Sequence, residues 1–272
     1  SEVFKTDYFG KEATLAQSPQ LYKQIMVGVF ERVYEIANVY RAEPSATTRH
    51  MTEYTSVDVE IGFIELDDLH NYAGQALISV ARYVEEHCAK ELKLWNQQGY
   101  VLPVKAEDIP RLTIDEIHEL FFKATKEDHR NEDDLAPAEE KWICDYAKKN
   151  LKSEAVLVTG WPAKSKTFKF YHRADPQNPD IAERADLLFR GVEVATLSMR
   201  ENRYEQLVKQ LKANGSDPEN PGYKPLLSAY KYGMPLHGGW GWGLERTVEK
   251  LLGLNNIKEA TLFPRDINRL AP

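Results

Sequence analysis

From Thr52 to Phe63 the side chains alternate with a period of two. Glu53, Thr55, Val57, Val59, Ile61 and Phe63 fall on one side, mostly apolar. Thr52, Tyr54, Ser56, Asp58, Glu60 and Gly62 fall on the other, mostly polar. An extended strand sends successive residues to opposite faces in this way. The preceding run, Val33 to Ala42, is rich in β-branched and aromatic residues, and Pro44-Ser45-Ala46-Thr47-Thr48 interrupts it with turn chemistry. The pattern therefore predicts strand, polar loop, strand. Such a hairpin points Arg41, Glu43, Arg49, His50 and Tyr54 at one place. Guanidinium forks suit phosphate oxygens, and an aromatic ring suits a flat base. The plain alternative is a hairpin with a solvated polar face. Two arginines, a histidine and an Arg-x-Glu within ten residues weigh toward a polyphosphate site.

A chain of 272 residues with 42% hydrophobic and 28% charged residues reads as one large soluble domain with a sizeable core. No apolar run approaches the roughly 20 residues of a membrane helix, and no leader peptide opens the chain, so no membrane partner is expected. Cys88 and Cys144 are too few and too far apart for a disulfide framework or a zinc site; a reducing, cytoplasmic setting fits. The net charge of -7 argues against a broad nucleic-acid surface. The chain opens at Ser1 in a strand-like run without an initiator Met, and reads as a piece of a longer protein.

In chain order, Val3 to Phe9 and Thr14 to Gln17 read as short strands. Ser18-Pro19 starts a helix with Leu21 and Ile25 on its apolar stripe. Asp67 to about Trp95 carries one long helical pattern. Thr113-Ile-Asp-Glu116 is a capping-box sequence opening a helix to about Ala124. Pro137 to Asn150 reads as helix, Ala155 to Thr159 and Thr167 to Tyr171 as strands. Ala185 to Phe189 and Gly191 to Arg200 read as a hairpin turning at Arg190-Gly191. Glu201 to Ala213 and Pro225 to Tyr232 read as helices. His118, His129 and His172 are scattered singles without metal-ligand spacing. Gly238-Gly239-Trp240-Gly241-Trp242-Gly243 lacks GxGxxG, and its glycines fit a strand that something approaches closely. From Leu244 the pattern is helical, with Arg246 in the first turn and Gly253 as the stop.

Two of these segments resemble signatures of one family. RAEPSATTRHMTEYTSVDVEIGF resembles motif 2 of the class II aminoacyl-tRNA synthetases, of the archaeal and eukaryotic aspartyl type, here at about 39–63. HGGWGWGLER, His237 to Arg246, resembles motif 3, here at about 237–253. The closing LLGLNNIKEATLFPRDINRLAP is similar to the end of the same catalytic domain, and QSPQLYKQ from Gln17 to a segment of its amino-acid pocket. The likeness covers nearly the whole chain and is weakest between about Glu91 and Lys169. It implies an α+β fold: the class II catalytic core, an antiparallel β-sheet flanked by helices. Residues 1–272 would be a single, partial catalytic domain, with motif 1 and the anticodon-binding domain absent.

The resemblance also implies roles. With ATP and Mg²⁺, Arg41 and Arg246 would be the catalytic arginines, Arg41 holding the α-phosphate and the amino-acid carboxylate. Arg49 and His50 would hold the outer phosphates. Tyr54 would stack on adenine, with Arg246 on its other side, and Ala42, Glu43, Met51, Gly243, Leu244 and Glu245 would complete the ATP site. Glu193 and Thr196 would hold Mg²⁺. Gln20, Lys23, Arg41, Asp58, Thr196 and Arg200 would form the aspartate pocket, with Asp58 orienting the cations Lys23 and Arg200. Three departures stand out: Thr196, Leu197 and Met199 replace the family's serine, glycine and glutamine. Strict alternation also puts Glu193 opposite Thr196 and Arg200, so a bulge is needed to reunite them. The function implied is an aspartate–tRNA ligase acting on L-aspartate and tRNA (Asp, with Asn open), a homodimer at full length. The alternatives are an asparaginyl-tRNA synthetase, a tRNA-independent asparagine synthetase-like enzyme, or a non-catalytic binding module.

Overall fold

The computed structural model describes residues 2–44, 46–97 and 99–272; the turn expected at Ser45 and the strand-like start at Ser1 fall outside them. A small hairpin comes first, β1 (Lys5–Tyr8) and β2 (Lys11–Thr14). Phe9 and Gly10 between them both have positive φ, 52° and 77°. That two-residue turn pairs Tyr8 with Lys11, so the second strand lies earlier than the expected Thr14 to Gln17. Helix α1 (Gln20–Phe30) follows, with the Gln20 N–H donating to Ser18 Oγ.

The hairpin expected from the alternating pattern is β3 (Arg32–Tyr40) and β4 (Glu53–Gly62). Then come α2 (Leu66–His87), α3 (Ala89–Leu94), β5 (Arg111–Thr113), α4 (Ile114–Thr125) and α5 (Pro137–Leu151). The single helix expected from Asp67 breaks at Cys88, which leaves helical geometry at φ -119°. Thr113 and Glu116 form the expected capping box on α4. The chain continues through β6 (Ala155–Thr159), β7 (Arg184–Phe189), β8 (Val192–Met199), α6 (Tyr204–Ala213), α7 (Lys224–Lys231), β9 (His237–Gly243) and α8 (Leu244–Leu252). No strand forms at Thr167 to Tyr171. The chain turns there instead, His172 N–H donating to Lys169 O at 2.9 Å. Its aromatic residues serve two separate cores, Phe168 one and Phe170 with Tyr171 another.

Seven strands make one sheet in the order β3-β4-β9-β8-β7-β6-β5. Every neighbouring pair is antiparallel except β5 with β6, which is parallel. The fold is thus α+β with an antiparallel-dominated sheet flanked by helices. Apolar side chains of α2, among them Leu69, Leu77 and Ile78, pack with Leu187, Val194, Trp240 and Trp242 in the main core. The interior strand β9 divides its residues by face. Trp240 and Trp242 enter that core, while Gly239, Gly241 and Gly243 alternate with them on the other face. Among the described residues no helix is long and apolar enough to cross a membrane.

Candidate active site

The glycine face of β9 forms the floor of a cleft of about 220 Å³. Register explains the opening. Gly241 lies between Asp58 of β4 and Thr196 of β8. Lacking a side chain, it leaves space over the middle of the sheet; a Cβ there would stand 3.6 Å from Asp58 Oδ1. Gly239 lies between Glu60 and Ser198. It is needed for a different reason: a Cβ there would meet Val59 O at 2.1 Å and Glu60 Oε2 at 2.3 Å.

Across Gly239 and beneath the cleft lies a closed set of charges. Arg200 donates from Nε to Glu60 Oε1 at 2.8 Å and from Nη2 to Glu60 Oε2 at 3.2 Å. Lys23 Nζ donates to Asp58 Oδ1 and to Trp240 O, both at 2.8 Å, and stands 3.5 Å from Glu60 Oε2. Ser56 holds Asp58, and Ser198 accepts from Arg200. All four ionic side chains are at most 4% exposed. Two cations and two carboxylates balance, as burial demands. Burial alone would push the Glu60 carboxyl up; Arg200 and Lys23 outweigh it and hold it below the usual carboxylate range. The polar face of β4 is therefore the buried one, not a solvated one. Asp58 orients Lys23, but Glu60, rather than Asp58, orients Arg200.

The walls carry three more arginines. Arg41, just past β3, is bonded through its backbone to Thr52 and Glu43, but its guanidinium makes no hydrogen bond or ion pair with any described residue and lies 5.3 Å from the centre of the Tyr54 ring. Arg49, on the β3–β4 loop, is paired with Glu140 of α5, yet its Nε is buried without a partner. Arg246, in the first turn of α8, donates to Glu193 O at 2.9 Å. Burial, then the charges of Arg246 and other neighbouring arginines, push the His50 imidazole below its ordinary pKa, so it is neutral at pH 7. Glu245, also on the cleft wall, accepts the Thr55 N–H. Free and half-free guanidinium forks around an aromatic ring are what a nucleoside polyphosphate requires.

The bulge that strict alternation called for is present. Leu187 pairs with Ala195 but Leu188 with Glu193, so Val194 is the extra residue. It returns Glu193 to the side of Thr196, whose hydroxyl donates to Glu193 Oε1 at 2.7 Å. Burial works against ionisation of Glu193, but Arg246 and the Thr196 hydrogen bond prevail and keep it low. Opposite Thr196 in register sits Asp186, buried, with Oδ1 lacking a partner. Burial raises its pKa to about 7 despite Arg184. Two carboxylates and a hydroxyl are hard oxygen donors suited to Mg²⁺. Among the described residues no cluster of three His, Cys, Asp or Glu could hold a metal alone.

Of the expected residues, Gln20, Arg41, Glu43, Arg49, His50, Met51, Tyr54, Asp58, Glu193, Thr196, Arg200, Gly243, Glu245 and Arg246 line the cleft. Lys23, Ala42 and Leu244 do not: Lys23 lies under the floor, and the Ala42 N–H is taken by Glu2 O. The sequence reading missed Ser18, Ser56, Tyr171 and His172 on the walls, and Glu60, Asp186 and Ser198 behind them. The polar face of the alternating strand carried a signal for Ser56 and Glu60. His172 gave none, being a lone histidine brought in by a turn.

Residues 1–267 match the family model of the class II tRNA synthetases (D, K and N), and the chain belongs to this family. The Thermus thermophilus aspartate–tRNA(Asp/Asn) ligase is 43% identical over 275 residues, 100% of this chain and 62% of that protein. The Pyrococcus furiosus aspartate–tRNA(Asp) ligase is 39% identical over 278 residues, 100% and 61%. Among solved structures, an Entamoeba histolytica asparaginyl-tRNA synthetase with asparaginyl-adenylate superposes with a TM-score of 0.88 at 30% identity, covering 99% of this chain and 60% of that one. A putative aspartyl-tRNA synthetase from Leishmania major gives 0.89 at 27%, covering 100% and 60%. The chain spans about three fifths of the length of the curated relatives it matches.

Proposed function

We propose that the protein of which this chain is part is an aspartate–tRNA ligase. It would activate L-aspartate with ATP and Mg²⁺ and pass the aspartyl group to tRNA. The observation that carries the reading is Arg41: a guanidinium in a cleft, with no acceptor among the described residues, beside an aromatic ring. In the first half-reaction the aspartate α-carboxylate attacks the α-phosphate, and pyrophosphate leaves. Charge gathers on the α-phosphate oxygens, where Arg41 would hold both reactants. Arg246 and Arg49 would draw off charge at the outer phosphates, Arg49 exchanging Glu140 for phosphate. Glu193 and Thr196, with Asp186 behind, would hold Mg²⁺, which supplies further charge neutralisation between the phosphates. Positioning and fixed charge of this kind supply most of the rate in such chemistry, and no side chain is required to move a proton.

The amino-acid pocket would be the space over Gly241, bounded by Gln20, Asp58, Thr196 and Arg200. Arg200, with Nε and Nη2 on Glu60 and Nη1 on Ser198, would turn its remaining N–H groups to the side-chain carboxylate; Lys23, its donors occupied, contributes charge through Asp58. Asparagine is the competing substrate, since asparaginyl enzymes are among the structural neighbours. Aspartate is favoured by the Arg200 guanidinium on the pocket wall and by the names of the relatives at 37–43% identity. A homodimer at full length and tRNA(Asp) as acceptor, with tRNA(Asn) a second candidate, belong to the same reading. The test is charging of a tRNA pool by the full-length protein with labelled aspartate and labelled asparagine. Aspartyl-tRNA is the expected product. Asparaginyl-tRNA would replace the substrate, and free asparagine without tRNA would replace the reaction class.

A further inference from the structure

Behind Gln20 a row of buried polar side chains runs away from the cleft. Gln20 Nε2 donates to Gln24 Oε1 at 3.0 Å. Gln24 Nε2 donates to the Tyr230 hydroxyl at 2.9 Å. Tyr230 Oη lies 3.4 Å from His237 Nε2, and His237 Nδ1 lies 2.7 Å from Pro235 O. Gln24 and His237 are fully buried and Tyr230 is 2% exposed. No water competes there, so each donor needs an acceptor and each acceptor a donor.

That requirement fixes the sense of the whole row from its far end. Pro235 O can only accept, so His237 carries its proton on Nδ1. Its Nε2 is then bare and must accept, so Tyr230 O–H donates to it. The Tyr230 oxygen is left to accept, which turns the Gln24 amide with its nitrogen toward Tyr230 and its oxygen toward Gln20. Gln20 must answer with its nitrogen. Its own oxygen, Oε1, receives no hydrogen bond from any described residue, although Gln20 lines the cleft. An amide free to flip would present oxygen and nitrogen alike; this one is held so that an acceptor remains for the ligand.

We propose that Tyr230 of α7 is a positioning residue for the amino acid. Through Gln24 it locks the Gln20 amide so that Gln20 Oε1 accepts a hydrogen bond from an N–H group of the bound amino acid. The inference rests on the aspartate-activating reading of the cleft. It selects a ligand that brings an N–H donor to Gln20, and acts on that ligand rather than on ATP. It also gives a reason for a tyrosine and a glutamine in an otherwise apolar cluster with Val27, Leu207 and Leu226.

The experiment is aspartate-dependent ATP–pyrophosphate exchange by the full-length protein and its Tyr230→Phe variant, which loses one oxygen and no bulk. Partners that orient a contacting side chain typically matter 10–100-fold, so we expect KM for aspartate to rise about tenfold with KM for ATP held, while the melting temperature falls because Gln24 Nε2 and His237 Nε2 lose their buried partner. Gln24→Met, which removes the middle link by another route, should give the same shift. In a Gln20→Ala background Tyr230→Phe should add nothing, because the two act through one contact. An unchanged KM for aspartate in both variants, or the same rise in the Gln20→Ala background, overturns the relay while leaving the functional reading intact. A wild-type protein that exchanges with no amino acid removes the functional reading and the relay together.

Discussion

At the scale of residues, the cleft sorts its charges into those the fold consumes and those it leaves for a ligand. Arg41 belongs to the second kind. Arg41→Ala should lower aspartate-dependent exchange by about 10²–10³, the range for losing one fixed donor at a developing charge. The melting temperature should stay put, since no described residue is bonded to the guanidinium. A large drop in melting temperature would mean that Arg41 is structural. Glu60 belongs to the first kind. Glu60→Gln leaves Arg200 and Lys23 facing Asp58 alone, and breaking a buried pair costs about 3–5 kcal/mol. The sign of its pH dependence follows from the depressed carboxyl. Its contribution is present above the usual carboxylate pKa of 4.5 and is lost as pH falls through the lower folded value. Urea midpoints of wild type and variant should therefore differ most near neutrality and converge on acidification below about pH 4.5; a gap that widens in acid would contradict the pairing.

At the scale of elements, the floor is one strand used on two faces. The glycines of β9 are not equivalent. Gly239→Ala drives a Cβ into backbone and carboxylate and should prevent stable folding. Gly241→Ala meets only ordinary contact distance, so the protein should fold, melt normally and show a raised KM for aspartate as the pocket narrows. Equal melting losses in both variants would refute the distinction. The sequence showed the two-residue alternation of β4 and the loop arginines beside it, because period and residue type are local properties. It did not show which face is buried. Glu60 looks like a solvated glutamate until Arg200, 140 positions away, lies against it. The bulge at Val194 was legible only as a conflict, since Glu193 and Thr196 could not share a strand face without it. The Thr167–Tyr171 run has strand composition, but its aromatic rings are claimed by two different cores, and tertiary packing overrides a weak local preference.

At the scale of the molecule, the chain places a cleft of about 220 Å³ on the glycine side of a seven-stranded sheet and covers about three fifths of its relatives' length. A ligand that binds only the folded state raises its stability, by about 2.7 kcal/mol at a hundredfold excess over Kd. A non-hydrolysable aspartyl-adenylate analogue should therefore raise the melting temperature of this chain, and the asparaginyl analogue should raise it less. Equal shifts would mean that Lys23 and Arg200 do not select charge. The central claim is that this cleft joins aspartate to the α-phosphate of ATP, and ATP–pyrophosphate exchange reads that step alone. We would measure it with Mg²⁺ on the full-length protein, adding aspartate or asparagine in turn. Exchange with aspartate and not with asparagine is the result this account expects. Exchange with asparagine alone, or with neither, would contradict it.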